Sequence, residues 1–279
     1  MFIVLFVCLF IVIAVIIAFL IAIAPNNKER RQIRTFEKQY IAHRGFFDNQ
    51  TDAPENTLPA FEKAVEREYG IELDVQMTTD KVLVVFHDES LKRMCGIDKR
   101  VVDCSYEELR QYTVGDSNER IPLFDDVLDT VAGKVPLIVE IKSEGDWKET
   151  SERTARRLDE YKGAYCVESF HPLVVQWFKK NRPSVIRGQL STNYFKDKIN
   201  VSFFEKFLLS NLLLNFLAKP DFIAYNHLYV NDFSYRICRR MYKKVTNVAW
   251  TIKSQGELQN AEEVFSVIIF DSFTPTDKN

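Results

Sequence analysis

Short apolar runs alternate with amphipathic segments along most of this chain, from about Gln39 onward. Apolar runs bounded by polar or turn-forming residues predict strands, and apolar residues at three- and four-residue spacing predict helices. The predicted strands are 40–44, 70–77, 82–87, 137–141, 165–170, 185–190, 222–225, 245–252 and 267–270, and the predicted helices are 57–68, 106–112, 123–131, 150–161, 173–181, 233–243 and 256–264. This alternation predicts an α/β protein whose parallel sheet closes as an eight-stranded (β/α)8 TIM barrel.

The first segment of the chain, Met1–Ala24, contains no charged side chain. A helix that crosses a bilayer needs about 20 apolar residues, so this segment is predicted to be a transmembrane anchor. The alternative is a cleaved signal peptide, because Ala22-Ile23-Ala24 resembles a cleavage site, but the missing basic leader and the long apolar run favour the anchor. We therefore divide the chain into a transmembrane anchor (1–24), a juxtamembrane linker (25–38) and a barrel domain (39–279).

The charge around the anchor predicts its orientation. No basic residue precedes it, and five follow it closely: Lys28, Arg30, Arg31, Arg34 and Lys38. The positive-inside rule then predicts a single-pass membrane protein whose folded domain lies in the cytoplasm. The five cysteines show no CxxC spacing and are predicted to be free, which agrees with a reducing compartment.

One stretch interrupts the alternation. The segment Phe203–Leu217 is apolar nearly all round, with Glu205 and Lys206 as its only charges. Such a segment is too short to span a bilayer comfortably and too apolar for an ordinary surface helix. Two interpretations stay open, a buried helix that closes the barrel and a helix that enters the membrane interface.

Polar residues capable of chemistry follow or interrupt several of the predicted strands. His43 lies near the end of the first strand, Glu72 and Asp74 interrupt the second, His87 ends the third, and Glu140 lies in the strand 137–141. The spacing of Glu72 and Asp74 puts both carboxylates on one face of a strand. Three acids at strand ends form the hard oxygen site that one divalent cation, Mg²⁺ or Ca²⁺, prefers.

Charge supports a cation at this site and excludes one class of partner. The whole chain has a net charge of -2, so it offers no broad basic field and nucleic acid is not an expected partner. Locally, four acids are offset by only two bases, and a divalent ion would bring the sum to zero. These residues are Glu55, Glu72, Asp74 and Glu140, with Arg44 and Lys142.

The two histidines suggest proton transfer. A neutral imidazole accepts a proton and an imidazolium donates one near neutral pH, so His43 and His87 can act as a general base and a general acid on one reacting centre. The sequence does not indicate which histidine has which role.

The ordered motifs resemble those of the glycerophosphodiester phosphodiesterase family. They are His43-Arg44-Gly45, Pro54-Glu55-Asn56-Thr57, Glu72-Leu73-Asp74, His87-Asp88 with Leu91 and Arg93, Ile121-Pro122-Leu123 and Glu140-Ile141-Lys142. The resemblance runs from about Tyr40 to the end of the chain and is dense through Lys142. Linked motifs in one order are far more specific than a single short pattern.

The resemblance implies a (β/α)8 barrel that hydrolyses glycerophosphodiesters to an alcohol and glycerol 3-phosphate with a divalent cation. It implies general acid and base roles for His43 and His87. It implies metal binding by Glu72, Asp74 and Glu140. Substrate contacts are implied for Arg44, Glu55 and Lys142. Trp250 matches a strand tryptophan that would line the pocket, and a buried core tryptophan is the alternative interpretation.

Two alternative functions follow from the same residues. The anchor and the segment Phe203–Leu217 would also suit a lysophospholipase D that acts on lysophospholipids at a membrane. A catalytically silent, membrane-tethered phospholipid-binding module is the alternative from another class. Inactive relatives usually lose a histidine or an acid, and this chain retains both histidines and all three acids.

Overall fold

A computed structural model describes residues 2–28 and 31–276. Met1, Arg30 and residues 277–279, which belong to the predicted anchor, linker and barrel domain, lie outside the described residues. The strands are β1 (Tyr40–His43), β2 (Gly70–Met77), β3 (Leu83–Val85), β4 (Leu137–Ile141), β5 (Tyr165–Ser169), β6 (Arg187–Ser191), β7 (Phe222–Asn226), β8 (Thr246–Ile252) and β9 (Val267–Phe270).

Eight of these strands form a closed parallel barrel. Their order is β1-β2-β4-β5-β6-β7-β8-β9, and β9 pairs with β1 to complete the ring. Strands β2, β4 and β9 are buried on both faces and rich in Val, Ile and Leu, as is typical of parallel strands covered by helices. The predicted (β/α)8 barrel is confirmed.

The described helices are α1 (Phe2–Ala22), α2 (Leu58–Glu66), α3 (Lys92–Cys95), α4 (Tyr106–Leu109), α5 (Phe124–Val131), α6 (Trp147–Glu160), α7 (Pro172–Asn181), α8 (Phe203–Ser210), α9 (Asn215–Ala218), α10 (Phe233–Met241) and α11 (Gln255–Ala261). Most of those from α2 onward cover the outside of the barrel. Short polar side chains cap several of their first turns. Asp146, for example, accepts hydrogen bonds from the backbone N–H groups of Lys148 and Glu149, which fixes the start of α6.

The strand before His87 differs from the prediction. Residues 83–85 form β3, which pairs antiparallel with the carboxyl end of β2 and is not one of the barrel strands. The segment from β3 to the start of α5 is an insertion with its own small core, which includes Val84, Leu91 and Leu109. His87 therefore reaches the site from an insertion beside the mouth and not from the end of a barrel strand.

A 3₁₀ helix at Arg31–Lys38 closes the amino-terminal end of the barrel. Ile33 and Phe36 are buried there in a cluster with strand residues such as Ile138 and Phe222. Apolar side chains buried in this way each contribute about 1.5–3 kcal/mol to stability. The segment predicted as a linker, 25–38, thus supplies side chains to the core of the barrel.

The carboxyl end of α1 is attached to the barrel, although the rest of the helix is exposed. The last carbonyls of a helix need partners outside it. Here the Tyr242 hydroxyl donates to the Leu20 carbonyl at 2.7 Å, Asn215 Nδ2 donates to Ile23 at 3.1 Å and Lys219 Nζ donates to Ala24 at 2.9 Å. Among the described residues α1 is the one helix long and apolar enough to cross a membrane, with a mean hydropathy of 3.6.

The segment Phe203–Leu217 does not form the single helix that its sequence predicts. It forms α8 and α9, separated by a turn in which Leu212 has a positive φ of 56° and is buried. The side chains of Phe203, Phe204 and Phe207 are exposed, so α8 is not a buried helix that closes the barrel.

Candidate active site

The predicted acids and one histidine lie at the carboxyl ends of adjacent barrel strands. In the strand register His43 of β1 is beside Glu72 of β2, and Asp74 of β2 is beside Glu140 of β4. Functional residues of (β/α)8 barrels lie at this end of the strands. The barrel therefore brings together residues that are up to about a hundred positions apart in the chain.

The three acids form a compact, buried cluster. One carboxylate oxygen each from Glu72, Asp74 and Glu140 lie within 4.8 Å of one another. Burial and the neighbouring carboxylates Asp74, Glu140 and Glu168 raise the pKa of Glu72 well above its ordinary value. The pKa of Glu168, which pairs with Glu140 in the register of β5, is raised in the same way, first by burial and then by Glu140 and Asp74. Ionising this cluster fully costs free energy unless a cation shares the site.

Two bases offset part of this negative charge. Lys142 Nζ lies 2.8 Å from Asp74 Oδ1 and 2.9 Å from Glu140 Oε1, and Arg44 Nε lies 3.5 Å from Asp74 Oδ2. Burial acts to raise the pKa of Asp74, but Lys142, His87 and Arg44 outweigh it and hold that pKa well below its ordinary value. Asp74 is therefore ionised at neutral pH.

The turn after β1 explains the His-Arg-Gly motif. Arg44 and Gly45 both have positive φ, at 56° and 84°, and the Arg44 backbone N–H donates to Glu72 Oε2 at 3.2 Å. A Cβ atom on Gly45 would come within 2.8 Å of the Ala60 backbone in α2. Glycine is therefore needed here both for the backbone conformation and for the close approach of α2.

Asn56 in the Pro-Glu-Asn-Thr motif positions Asp74. It has a positive φ of 58°, which asparagine tolerates better than most residues, and its Nδ2 donates to Asp74 Oδ2 at 2.8 Å. The backbone N–H of Asn56 donates to the Arg44 carbonyl, so the two turns support each other.

Glu55 is clamped between two arginines. Arg44 Nη1 donates to Glu55 Oε1 at 2.7 Å, and Arg93 donates to both carboxylate oxygens at 2.7 and 2.8 Å. Burial opposes ionisation, but the hydrogen bonds from Arg93 and the charge of Arg44 lower the pKa of Glu55 to about 2. This bidentate pair makes the loop before α2 and the insertion around α3 one connected structure.

His43 is paired with an acid at the end of the last strand. Its Nδ1 lies 2.9 Å from Oδ2 of Asp271. Burial acts to raise the pKa of Asp271, but the hydrogen bond from His43 outweighs it and lowers that pKa. Asp271 is then an acceptor, so His43 Nδ1 carries the proton and its Nε2 is left with a lone pair, 3.9 Å from Glu72 Oε2. Burial and Arg44 lower the pKa of His43 to about 4, so this imidazole is neutral at pH 7.

His87 is paired with its own neighbour. Its Nδ1 lies 2.6 Å from Asp88 Oδ1, and Arg93 donates to Asp88 through Nε and NH2 at 2.6 and 2.9 Å. Burial acts to raise the pKa of Asp88, but the hydrogen bonds from His87 and Arg93 hold it below its ordinary value. Both candidate histidines thus present Nε2 and anchor Nδ1 to a carboxylate.

Trp250 lies on the other side of the barrel mouth. It belongs to β8, which is opposite β4 in the ring, and its ring contacts Phe170 at 5.4 Å between centroids. Phe170 also contacts Tyr194, at 6.5 Å. The predicted substrate contact at Trp250 is therefore separate from the acid cluster and belongs to an aromatic group.

Sequence reasoning missed the positions that orient the histidines. Asp271 follows an apolar strand, as His43 does, so the signal that identified His43 also applied to Asp271. Asp88 and Arg93 occur in the motifs, but only the structure gives them contacts with His87 and Glu55. Glu168 has the same buried strand setting as Glu140 and was not singled out.

The donor set fits a hard divalent cation. Glu72, Asp74 and Glu140 supply oxygen atoms close enough to share one ion, and burial together with repulsion from the neighbouring carboxylates raises the pKa of Glu72, a cost that an ion would relieve. Lys142 and Arg44 stand beside these acids as point charges for an anionic ligand. The arrangement suits the binding and hydrolysis of a phosphate ester.

Comparison with known proteins gives consistent matches. The model of the glycerophosphoryl diester phosphodiesterase family matches residues 43–268. YhdW of Bacillus subtilis (strain 168), provisionally named a glycerophosphodiester phosphodiesterase, is 29% identical over 225 residues, which cover 77% of this chain and 86% of YhdW. A human lysophospholipase D is 31% identical over 131 residues, which cover 42% of this chain and 40% of that protein.

The fold also matches solved structures. A phosphodiesterase from Oleispira antarctica, solved in complex with the product sn-glycerol-3-phosphate, has a TM-score of 0.67 and 21% sequence identity. The match covers 84% of this chain and 92% of that structure. This likeness establishes the barrel, including the segments after β5 where the sequence motifs become sparse.

Proposed function

The chain belongs to the glycerophosphoryl diester phosphodiesterase family, and from that premise we propose that it hydrolyses glycerophosphodiesters to an alcohol and glycerol 3-phosphate with two histidines and one divalent cation. It is an enzyme of the phosphoric diester hydrolase class. The observation that carries the detailed proposal is the buried cluster of Glu72, Asp74 and Glu140. Two histidines paired with carboxylates accompany that cluster at the same barrel mouth.

The cation would be held by Glu72, Asp74 and Glu140, and it would be Mg²⁺ or Ca²⁺ because the donors are carboxylate oxygens. When bound, it supplies positive charge that offsets the charge of the phosphate and of the developing transition state. Lys142 and Arg44 add fixed positive charge next to the same acids. Glu55 holds the Arg44 guanidinium in place at 2.7 Å.

His43 is the better candidate for the general base. Its low pKa keeps it neutral at pH 7, and Asp271 fixes the tautomer in which Nε2 accepts a proton. The proton would come from the hydroxyl or water that attacks phosphorus. Asp271 then stabilises the imidazolium that forms on His43.

His87 is the better candidate for the general acid. Its Nδ1 lies 2.6 Å from Asp88 Oδ1, which leaves Nε2 for the substrate, and His87 is more exposed than His43, at 32% against 17% of the side chain. A protonated His87 would give its Nε2 proton to the oxygen of the leaving alcohol. The proposal therefore assigns the base role to His43 and the acid role to His87, which the sequence alone does not do.

A substrate assay tests the proposal. The purified full-length chain in detergent is given glycerophosphocholine or glycerophosphoethanolamine with Mg²⁺ or Ca²⁺, and glycerol 3-phosphate is measured enzymatically. We expect release that EDTA abolishes and that His87→Ala reduces by about 10²- to 10⁴-fold, the usual contribution of general acid–base catalysis. Absence of glycerol 3-phosphate with both metals would overturn the proposal and favour a silent binding module, and unchanged turnover in His43→Ala would relocate the chemistry.

Lysophospholipids are the second candidate substrates, and one observation favours them. The aromatic group of Trp250, Phe170 and Tyr194 continues through Phe195, the neighbour of Tyr194, to Phe203, whose ring is 5.5 Å from that of Phe195. These rings, which we call the aromatic path, extend from the mouth to the exposed Phe203, and they would contact an acyl chain. Comparing turnover of lysophosphatidylcholine with that of glycerophosphocholine on the same preparation separates the two substrate classes.

The location of the enzyme is part of the proposal. Helix α1 would cross a membrane once, with the barrel on the cytoplasmic side, as the exposed apolar surface of α1 and the basic residues after it suggest. Protease added outside intact cells should then leave the barrel intact and degrade it only after lysis. Degradation in intact cells would reverse the topology.

A further inference from the structure

Exposed apolar side chains outside α1 are concentrated on one side of the barrel. The described residues include nine large ones, and eight of these lie between residues 195 and 241. We call these eight the apolar flank: Phe195, Phe203, Phe204, Phe207, Phe216, Leu228, Phe233 and Met241. They belong to the connections on either side of β7, whereas soluble surfaces usually scatter such residues singly.

The way α8 packs shows that this exposure is built into the fold. Polar groups hold its inner side: Ser191 Oγ donates to the Leu209 carbonyl at 2.9 Å, and Ser210 Oγ accepts from the Tyr194 backbone N–H at 2.9 Å. Ser210 is buried, while Phe204 is 67% exposed. An ordinary surface helix has the reverse arrangement, with apolar residues inward and polar residues outward.

The apolar flank surrounds the place where α1 joins the barrel. The donors to the carbonyls at the end of α1 (Leu20) and just after it (Ile23 and Ala24) come from α9 and from the residues that follow α9 and α10. The ring of Phe19 in α1 lies 6.0 Å from the ring of Phe233 in the flank. The apolar surface of α1 and the apolar flank are therefore one continuous surface.

We propose that the apolar flank rests on the lipid bilayer, with the side chains of Phe203, Phe204 and Leu228 inserted at the interface. The occupant is a bilayer rather than a second copy of the chain because the flank continues into a helix that is exposed along its length and apolar enough to span a membrane. A bilayer that surrounds α1 up to its last turn must meet the barrel surface next to that turn. Aromatic and leucine side chains are the residues that favour such an interface.

This proposal depends on α1 as a membrane span and not on the reaction, so its test measures position rather than activity. The full-length chain with Cys8→Ser and Cys95→Ser keeps its three buried cysteines and receives one new cysteine, in separate variants Phe204→Cys and Leu228→Cys. The matched control is Glu66→Cys, an exposed position on α2, because the β1–β2 crossover lies opposite the flank in the ring. Each variant is labelled with bimane and reconstituted in vesicles of phosphatidylcholine and phosphatidylglycerol at three to one.

Nitroxide-labelled lipids and aqueous iodide then report what surrounds each label. We expect lipid nitroxides to quench bimane at 204 and 228 at least two-fold more than at 66, and iodide to quench it most at 66. Equal lipid quenching at all three positions would overturn the proposal. Protection of 204 and 228 from both quenchers would also overturn it, since another copy of the chain would then cover the flank. Two reporters on separate elements guard against a local effect of either substitution, and circular dichroism checks the fold of each variant.

Discussion

Oδ2 of Asp271 and Nδ1 of His43 are 2.9 Å apart, although 228 positions separate the two residues in the chain. Asp271 directly follows β9 and His43 ends β1, so the contact crosses the seam at which the barrel closes. The pair fixes the His43 tautomer and leaves Nε2 free to accept a proton. Asp271 is therefore a positioning residue for the proposed base.

Replacement of that carboxylate should impair proton transfer without loss of substrate binding. In Asp271→Asn the amide can present its NH₂ group to Nδ1 and so favour the wrong tautomer. We expect kcat to fall on the order of 10²- to 10⁴-fold with KM changed little. Steady-state kinetics over a range of pH measure both constants.

Ser272→Ala is the control for that substitution. The Ser272 hydroxyl donates to the other oxygen of Asp271 at 2.7 Å and does not contact His43. Its loss should reduce kcat by less than about ten-fold, roughly one hydrogen bond. Similar defects in both variants would indicate a general disturbance at the end of β9 rather than control of the histidine tautomer.

Arg93 should affect turnover through His87. It holds Asp88 by two hydrogen bonds and Glu55 by two more, so Arg93→Met frees the acid that orients His87. We expect kcat/KM to fall about 10- to 10²-fold, a loss of about 1.4–2.8 kcal/mol of transition-state stabilisation. Arg100→Met in the same insertion removes exposed ion pairs with Asp103 and Glu89 and should leave activity within two-fold.

Glu72→Gln should weaken metal binding without lowering the stability of the metal-free protein. The substitution removes a buried carboxylate whose ionisation its neighbours oppose, so we expect the metal-free variant to unfold at an equal or higher temperature than the wild type. Saturating Ca²⁺ or Mg²⁺ at 100 times Kd should stabilise the wild type by about 2.7 kcal/mol and the variant far less. Differential scanning calorimetry with and without EDTA measures this, and an undiminished metal effect in the variant would remove Glu72 from the ligand set.

The effect of a cation on stability should depend on pH. Burial and neighbouring carboxylates raise the folded-state pKa of Glu72, so above pH 4.5 the metal-free folded state holds a proton that the unfolded chain has released. Metal-free stability therefore falls as pH rises through that window. A cation competes with this proton, so its increase in melting temperature should be larger at pH 8 than at pH 5. Equal increases at the two pH values would contradict the assigned cluster.

Trp250→Ala should discriminate between substrates. If the aromatic path receives an acyl chain, the variant should lose about 3- to 30-fold in kcat/KM for lysophosphatidylcholine and much less for glycerophosphocholine, as expected for an aromatic contact of about 1–2 kcal/mol. Trp177→Ala on α7 is the matched control for tryptophan loss. Equal losses on both substrates would assign Trp250 a structural role.

Much of the barrel and the acid cluster could be predicted because their signals are local. The apolar runs around Glu72 and Glu140 indicate strands, and a parallel barrel gathers strand ends at one mouth. The pairing of His43 with Asp271 could not be predicted, since it depends on closure between the first and last strands. The position of β3 outside the ring was also not predicted, because a short apolar run does not indicate whether its strand belongs to the barrel.

The burial of segments outside the barrel strands could not be predicted either, because it also depends on tertiary contacts. Phe203–Leu217 contains enough apolar residues for a buried helix, yet Ser210 and Leu212 face inward and Phe204 faces outward. Composition gives the amount of apolar surface, and only tertiary contacts decide which part of it is covered. Likewise, the sequence around Ile33 and Phe36 does not indicate that these residues are buried in the barrel rather than part of a flexible linker.

The hydrogen bonds between the end of α1 and the barrel fix the orientation of the proposed anchor relative to the barrel. A catalytic domain on a flexible tether samples many orientations and distances from the membrane, so its active site can reach soluble molecules away from the lipid. This one would instead diffuse laterally and rotate about the membrane normal, while its tilt relative to the bilayer stays constant. Its search for substrate would be two-dimensional, and its encounter rate would follow the surface density of substrate rather than the bulk concentration.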